Sequence, residues 1–335
     1  MTNEQTAGSP APAGTGSILA SRYVLGPVLG RGGAADVYRA DDQVLSREVA
    51  VKVLREAADN ETDRARFVAE ARTVANLAHH GLVTVLDAGI SDDAEQPFLV
   101  MELVDGQTLS ARITAGSFDE AEIERVAIEL AEAIAYAHAR DVVHRDVKPG
   151  NVLLNHVGAV KLADFGIARL IGDTVRHTKT GHAVGTAAYL APEQVLGEPL
   201  TTAVDIYSFG LVVLEMFTRT RAFPGMPTEA ALARLSRQPE IPSDVPATWR
   251  VLLTDMTARD PARGPSATEI AERLRGRSLP AVTAVLTGAV ASPATVPAVL
   301  TRITDRARAL EREYVVLGAV ALVFVLLLVV AALAS

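Results

Sequence analysis

Between about residue 22 and residue 275 the chain alternates strand-like and helix-like patterns of apolar and polar positions, without an internal repeat. The opening of this block is rich in strand signals. YVLGPVLGRGGAADVYRA (residues 23–40) is an apolar alternation broken by glycines, and EVAVKVL (residues 48–54) is a short β-branched run. ETDRARFVAEARTVANLA (residues 61–78) reads as an amphipathic helix, as does FDEAEIERVAIELAEAIAYAHA (residues 118–139), whose acidic face is expected to be solvated.

The flanks follow other rules. Residues 1–21 are rich in Gly, Pro, Ser, Thr and Ala, with no basic start and no continuous apolar stretch; they predict a flexible arm rather than a signal peptide. Residues 276–313 form a linker, Pro/Ala-rich at first (Pro280, Pro293 and Pro297) and then basic, with Arg302, Arg306, Arg308 and Arg312. Residues 315–334, VVLGAVALVFVLLLVVAALA, carry no charge and are apolar but for Gly318. A helix of twenty residues spans about 30 Å, the hydrocarbon thickness of a bilayer. A membrane helix is therefore expected over residues 314–334, with Tyr314 at the interface. The arginines before it place the larger part of the chain in the cytoplasm and the C-terminus outside.

Composition narrows the chemistry. The chain has 335 residues, 32 Lys+Arg against 40 Asp+Glu, a net charge of −8 and no cysteine. Disulfides, Cys-ligated metals and thiol nucleophiles are excluded, and the acidic balance argues against binding nucleic acid by bulk charge. The length is enough to bury a sizeable core. Lysine is scarce: of those 32 cations only Lys52, Lys148, Lys161 and Lys179 are lysines. In an arginine-rich chain each retained ammonium marks a place where a compact cation suits better than a planar fork.

The turn at Gly30, Gly32 and Gly33 would let a phosphate approach the backbone, although alone it is equally a hairpin turn. Lys52, in the middle of an apolar strand, needs a partner, and Glu70 on the following helix offers one. The densest chemistry lies in VVHRDVKPGNVLL (residues 142–154) and VKLADFG (residues 160–166). Asp146 is placed to accept a proton from a hydroxyl and Lys148 to offset charge on a transferred group. Asn151 and Asp164 are hard oxygen donors of the kind Mg²⁺ prefers.

These motifs, in this order, make the block resemble the protein kinase family; it is most similar to the bacterial eukaryotic-like (Hanks-type) membrane serine/threonine kinases. The resemblance covers about three-quarters of the chain. It adds Met101–Val104 as the hinge, Ala191-Pro192-Glu193, and Asp205 in VDIYSFG. It implies an α+β bilobal kinase fold over residues 22–275, with a β-rich N-lobe over about 22–102 and a helical C-lobe over about 103–275. It further implies that Gly30, Gly32 and Gly33 cover the phosphates of ATP and that Lys52, oriented by Glu70, contacts them. Val37, Ala50 and Leu153 would sandwich adenine, and the backbone of Glu102 and Val104 would bind its edge. Asp146 would be the base, Lys148 would steady the γ-phosphate, and Asn151 and Asp164 would hold Mg²⁺, or Mn²⁺ in its place. Lys148 and the segment GTAAYLAPE imply Ser/Thr acceptors in protein substrates, with Thr186 near Asp146 and Lys148.

Regulation is expected in the threonine-rich segment after Gly166, where phosphate on Thr178 and Thr180 would supply a counter-charge to Arg145; Thr174 is a weaker candidate. The resemblance also implies homodimers that phosphorylate in trans. Two positions depart from the family pattern. Ala35 replaces the third loop glycine, and Arg263 lies one residue early for the arginine expected to pair with Glu193, a pairing that a shift of the loop would restore. His144 is expected to pack with Phe165 beneath the catalytic loop, Trp249 to be a core or interface residue, and His79, His80, His156, His177 and His182 to be unconnected with metal. The alternative from another class is a catalytically silent pseudokinase scaffold at the membrane.

Overall fold

The alternation read from EVAVKVL sorts one strand onto two cores. In the computed structural model, which describes residues 14–33, 35–55, 61–91, 96–165 and 186–276, β4 (Arg47–Leu54) buries Val49, Val51 and Val53 in one apolar cluster with Tyr23, Leu25 and Phe98. Ala50 and Leu54 point the other way, into the main core, and Lys52 lies between them on that same face.

Six strands form the first sheet, in the order β1-β2-β3-β4-β6-β5: β1 (Ile18–Leu19), β2 (Tyr23–Arg31), β3 (Ala35–Asp42), β4, β5 (Val85–Ile90) and β6 (Pro97–Glu102). All its pairings are antiparallel, so short turns suffice to join most of them. The register sets Gly30 opposite Val37, and Val37 in turn opposite Lys52, which brings the glycine turn and the lysine to one end of the sheet. β1 corrects the expected arm of residues 1–21. Ile18 pairs with Val24 and Leu19 with Tyr23, and Leu19 is buried in the second core while Ile18 faces outward.

α1 (Glu61–Ala75) packs on this sheet through Phe67, Ala71 and Val74. The chain then crosses by β7 (Gly106–Thr108) into α2 (Leu109–Ala115) and α3 (Glu120–His138), and a second sheet, β7-β8-β9, adds β8 (Val152–Asn155) and β9 (Val160–Leu162). Gly106 must be glycine: a Cβ there would come within 2.0 Å of the Leu154 carbonyl oxygen. The helical part is completed by α4 (Pro192–Leu196), α5 (Ala203–Thr218), α6 (Pro227–Ser236), α7 (Ala247–Met256) and α8 (Ala267–Leu274). α5 is apolar nearly all round and buried along most of its length, and α3 and α7 pack on it.

α3 has the expected amphipathic core face, but its acidic face is not simply solvated. Glu122 binds Arg112 at 2.7 Å, Glu129 accepts from the Val160 amide at 2.7 Å, and Glu132 pairs with Arg275. Trp249 is buried as expected, edge-on to Phe217, with its indole N–H given to Glu120.

The chain divides into two units, Met1–Leu279 and Pro280–Ser335, and every described residue belongs to the first. Among the described residues no helix is long and apolar enough to cross a membrane. The expected span at residues 314–334, the linker from residue 277 onward, the arm's first thirteen residues, and Gly166, Thr174, Thr178 and Thr180 lie outside the described residues.

Candidate active site

Three polar side chains meet just after α3. Asp146 Oδ2 accepts from Lys148 Nζ at 2.7 Å and from Asn151 Nδ2 at 3.0 Å, and the same Nδ2 also binds the Asp146 carbonyl oxygen at 2.9 Å. A 3-10 turn at Pro149–Asn151 makes this possible, because it folds Asn151 back over the residue five positions earlier. With Nδ2 committed to Asp146, the Asn151 Oδ1 is left as an acceptor.

The backbone beneath is fixed by two buried groups. Asp205, on the first turn of α5, accepts the His144 amide through Oδ2 and the Arg145 amide through Oδ1, each at 2.7 Å, and contacts His138 Nε2 at 2.8 Å. His144, 1% exposed, binds the Ala163 carbonyl oxygen through Nε2 at 2.9 Å and receives the Asp146 amide at Nδ1. A carbonyl can only accept, so the proton sits on Nε2 and Nδ1 is the acceptor. The ring also packs on Phe165, 4.6 Å between centroids. Both loops are held in left-handed backbone conformations, φ 67° at Arg145 and 62° at Asp164. Each such conformation costs about 1–3 kcal/mol and has to be imposed by its surroundings.

Lys52 reaches Asp164, not Glu70. Its Nζ lies 2.9 Å from Asp164 Oδ1, and among the described residues no ion pair joins Lys52 to Glu70. This corrects the expected lysine–glutamate pairing: one ammonium has taken the other carboxylate. Burial pushes the Glu70 carboxyl above its ordinary value, and the guanidiniums of Arg145 and Arg66 offset this only in part. Burial pushes Asp164 up as well, but the charge and hydrogen bond of Lys52, with Lys148, outweigh it and hold the carboxyl below its ordinary value.

The residues expected to enclose adenine come from both sheets and the segment between them. Ala50 is opposite Met101 and Val49 opposite Glu102 in the β4–β6 ladder, while Val37, Val104 and Leu153 are half-buried against the main core. The Glu102 side chain is engaged, accepting from Lys161 Nζ at 2.7 Å and from the Thr84 amide at 2.8 Å. A Cβ at Gly30 would meet no atom of the described residues within 4 Å, so no described neighbour demands glycine there. At Gly32 the amide closes the turn on the Ala35 carbonyl at 2.8 Å. Gly33 is exposed in that turn. Lys52 paired with Asp164, and an Asn151 oxygen left as an acceptor, are groups that fit a nucleotide triphosphate with Mg²⁺, which takes few protein ligands and completes its shell from phosphate and water.

Sequence reasoning missed several supports. In the sequence Asp205 stands out only as part of a motif, and Lys161, a retained lysine inside a short apolar strand, is the available signal for its bond to Glu102. The bond from Gln194 Nε2 to the Arg145 carbonyl at 3.0 Å, tying α4 to the catalytic loop, had no sequence signal. Nor did Arg234, fully buried on α6, which binds the carbonyls of Ala230 and Leu190 and lies 5.2 Å from the Phe223 ring centroid. The expected Arg263–Glu193 pair is absent. Arg263 is exposed on a 3-10 turn, Pro261–Arg263, and makes no bond to Glu193; the turn has not shifted to compensate for the early arginine.

Comparison with known proteins agrees with this geometry. Residues 23–274 match the family model described as the protein kinase domain. The chain is 43% identical over 232 residues to a probable serine/threonine-protein kinase of Streptomyces coelicolor, covering 67% of this chain and 34% of that protein. It is 39% identical over 255 residues to the serine/threonine-protein kinase PrkC of Bacillus subtilis, covering 73% of this chain and 39% of that one. With the serine/threonine-protein kinase PknA of Mycobacterium tuberculosis it shares 36% identity over 294 residues, 84% of this chain and 68% of the relative. The chain thus spans between about a third and two-fifths of the length of the first relatives it matches.

Proposed function

The chain belongs to the protein kinase family, and on that premise we propose that it transfers the γ-phosphate of ATP to serine and threonine hydroxyls of proteins. The observation that carries this reading is the convergence of Lys148 and Asn151 on Asp146, 2.7 and 3.0 Å from one carboxylate oxygen, on a backbone clamped by Asp205.

Asp146 takes up the proton of the acceptor hydroxyl, and Lys148, which holds its carboxylate in place, balances charge on the phosphoryl group in flight. Lys52 binds phosphate oxygens, Val37, Ala50 and Leu153 enclose the base, and the backbone of Glu102 and Val104 reads its edge. Asn151 and Asp164 hold Mg²⁺, which when bound neutralises charge on the phosphates. Catalysis on this plan is positioning and electrostatic stabilisation, without a covalent enzyme intermediate. No observation favours the silent scaffold.

Phosphorylation of Thr178 and Thr180 by a second copy of the chain is the proposed route to full activity. Membrane anchoring through residues 314–334 is supported by their unbroken apolar character and by the arginines before them.

The deciding experiment is phosphotransfer from ATP to a general protein acceptor in Mg²⁺, with Asp146→Asn as control. Transfer by the native chain and its loss in the variant support the reading; equal transfer by both, or none by either, overturns it.

A further inference from the structure

Glu193 is 6% exposed, yet among the described residues neither a cation nor a donor side chain reaches its carboxylate. Arg263 is turned to solvent, and the guanidinium of Arg259 is given to the carbonyl of Leu235. The carboxyl is raised above its ordinary value, chiefly by burial, which its own backbone amide opposes and Glu198 reinforces. A buried carboxylate with no counter-charge is costly, and a protein that keeps one open to a cavity has left room for the missing cation.

That cavity is present. It has a volume of about 260 Å³ and is lined by Glu193 and Glu198, by Pro192, Leu196, Leu235 and Pro261, and by Arg259. Two carboxylates against one guanidinium leave it net negative. The apolar residues form a wall suited to an aliphatic stem, with the buried acceptor set among them.

We propose that this cavity, between α4, α6 and the Pro261–Arg263 turn, binds an arginine side chain carried by a second polypeptide. The stem lies along Leu196, Leu235, Pro192 and Pro261, and the guanidinium pairs with Glu193, with Glu198 as a second acceptor at the exposed rim. Arginine fits better than lysine because its planar fork is less strongly hydrated and can engage a carboxylate through two parallel hydrogen bonds. The proposal concerns binding alone and does not depend on phosphotransfer.

The test is thermal unfolding of the full chain titrated with N-acetyl-arginine amide, against N-acetyl-citrulline amide, which has the same shape without the charge. Binding to the folded state alone stabilises it by RT ln(1 + [L]/Kd), so a Tm that climbs with the logarithm of concentration above Kd is expected with the arginine compound. Affinity should be about tenfold or more weaker for the citrulline compound and for Glu193→Gln. Glu198→Gln, at the exposed rim, should weaken binding by a smaller factor, and it serves if the Glu193 variant does not fold. Asp146→Asn should bind as the native chain does, which separates this result from any failure of the catalytic reading. Equal effects of the two compounds, or binding undiminished in both glutamine variants, overturns the proposal. So does a large gain in affinity in Arg259→Ala, because it would mean that Arg259 itself fills the cavity in solution.

Discussion

Lys52 and Asp164 are joined at 2.9 Å, and this pairing leaves Glu70 without the ammonium that its place on α1 seemed to offer. Glu70 therefore adds nothing to stability through Lys52, and its burial is a net cost. Glu70→Gln is expected to leave Tm unchanged or slightly raised. If phosphotransfer requires Lys52 to be drawn toward Glu70, the same variant loses activity by about 10²-fold, the size of effect that a misplacement of about 1 Å produces. Tm and kcat measured on one preparation check this; a large loss of Tm would contradict the pairing described.

Asp205 touches no reacting group, yet both its oxygens hold amides of the catalytic loop. Asparagine supplies one acceptor where two are used and turns an amide N–H toward a donor. Asp205→Asn should cost about 1.5–3 kcal/mol for each charged hydrogen bond lost and lower kcat by about 10²-fold with little change in KM for ATP. Denaturant unfolding and steady-state kinetics read the two effects separately. Unchanged values for both would remove Asp205 from the account.

Asp42 gives a pH signature. Its buried carboxylate is bound by Arg22 at 2.7 Å through both oxygens and receives the amides of Val44 and Leu45. Its pKa is held well below the ordinary 3.8, first by the hydrogen bond from Arg22, with burial opposing. A depressed carboxyl stabilises the fold above its unfolded pKa and loses that contribution as pH falls toward the folded value. The stability gap between the native chain and Asp42→Asn should thus be constant from neutral pH down to about 5 and shrink below about 4. A gap that shrinks between pH 8 and 6 would contradict this assignment.

Gly210→Ala sets two effects against each other. Alanine in mid-helix gains about 0.5–1 kcal/mol over glycine. Here its Cβ would stand 2.8 Å from Thr257 Cγ2 and 3.0 Å from Met256 Cβ. Overpacking of that kind costs about 1–3 kcal/mol, so a lower Tm is expected. An unchanged or higher Tm would mean that α5 and α7 move apart more easily than their packing implies.

After incubation with ATP and Mg²⁺, mass spectrometry should find phosphate on Thr178 and Thr180, and Asp146→Asn should carry none. Phosphate absent from both threonines in the active native chain would remove this route of regulation.

The catalytic cluster was legible because its residues are close in sequence: Asp146, Lys148 and Asn151 lie within six positions, and a single turn closes them on one another. The strands over residues 23–40 and 48–54 were legible for a similar reason, since alternation along β2 and β4 states which face is buried, whereas the six-strand order was not. What stayed hidden depends on distant pairs. The choice of Lys52 between Asp164 and Glu70 is a competition between carboxylates from two elements, and no local pattern records its outcome. Arg234 reads as an ordinary helix arginine until the carbonyl of Leu190 comes to rest against it. The vacancy beside Glu193 needed the opposite information, namely that Arg263 points away.

The two-sided burial of β4 has a further consequence. Val49, Val51 and Val53 fill one core while Lys52 faces the other, so parity of position keeps the ammonium beside Asp164. Apolar substitutions of similar size along this strand would change its packing and leave the chemistry where it is. Removing one residue between Arg47 and Lys52 would drive the ammonium into the second core and bring a valine to Asp164. In this strand the tolerance of the chain is to spelling and not to length, and an insertion or deletion there would remove activity and stability together.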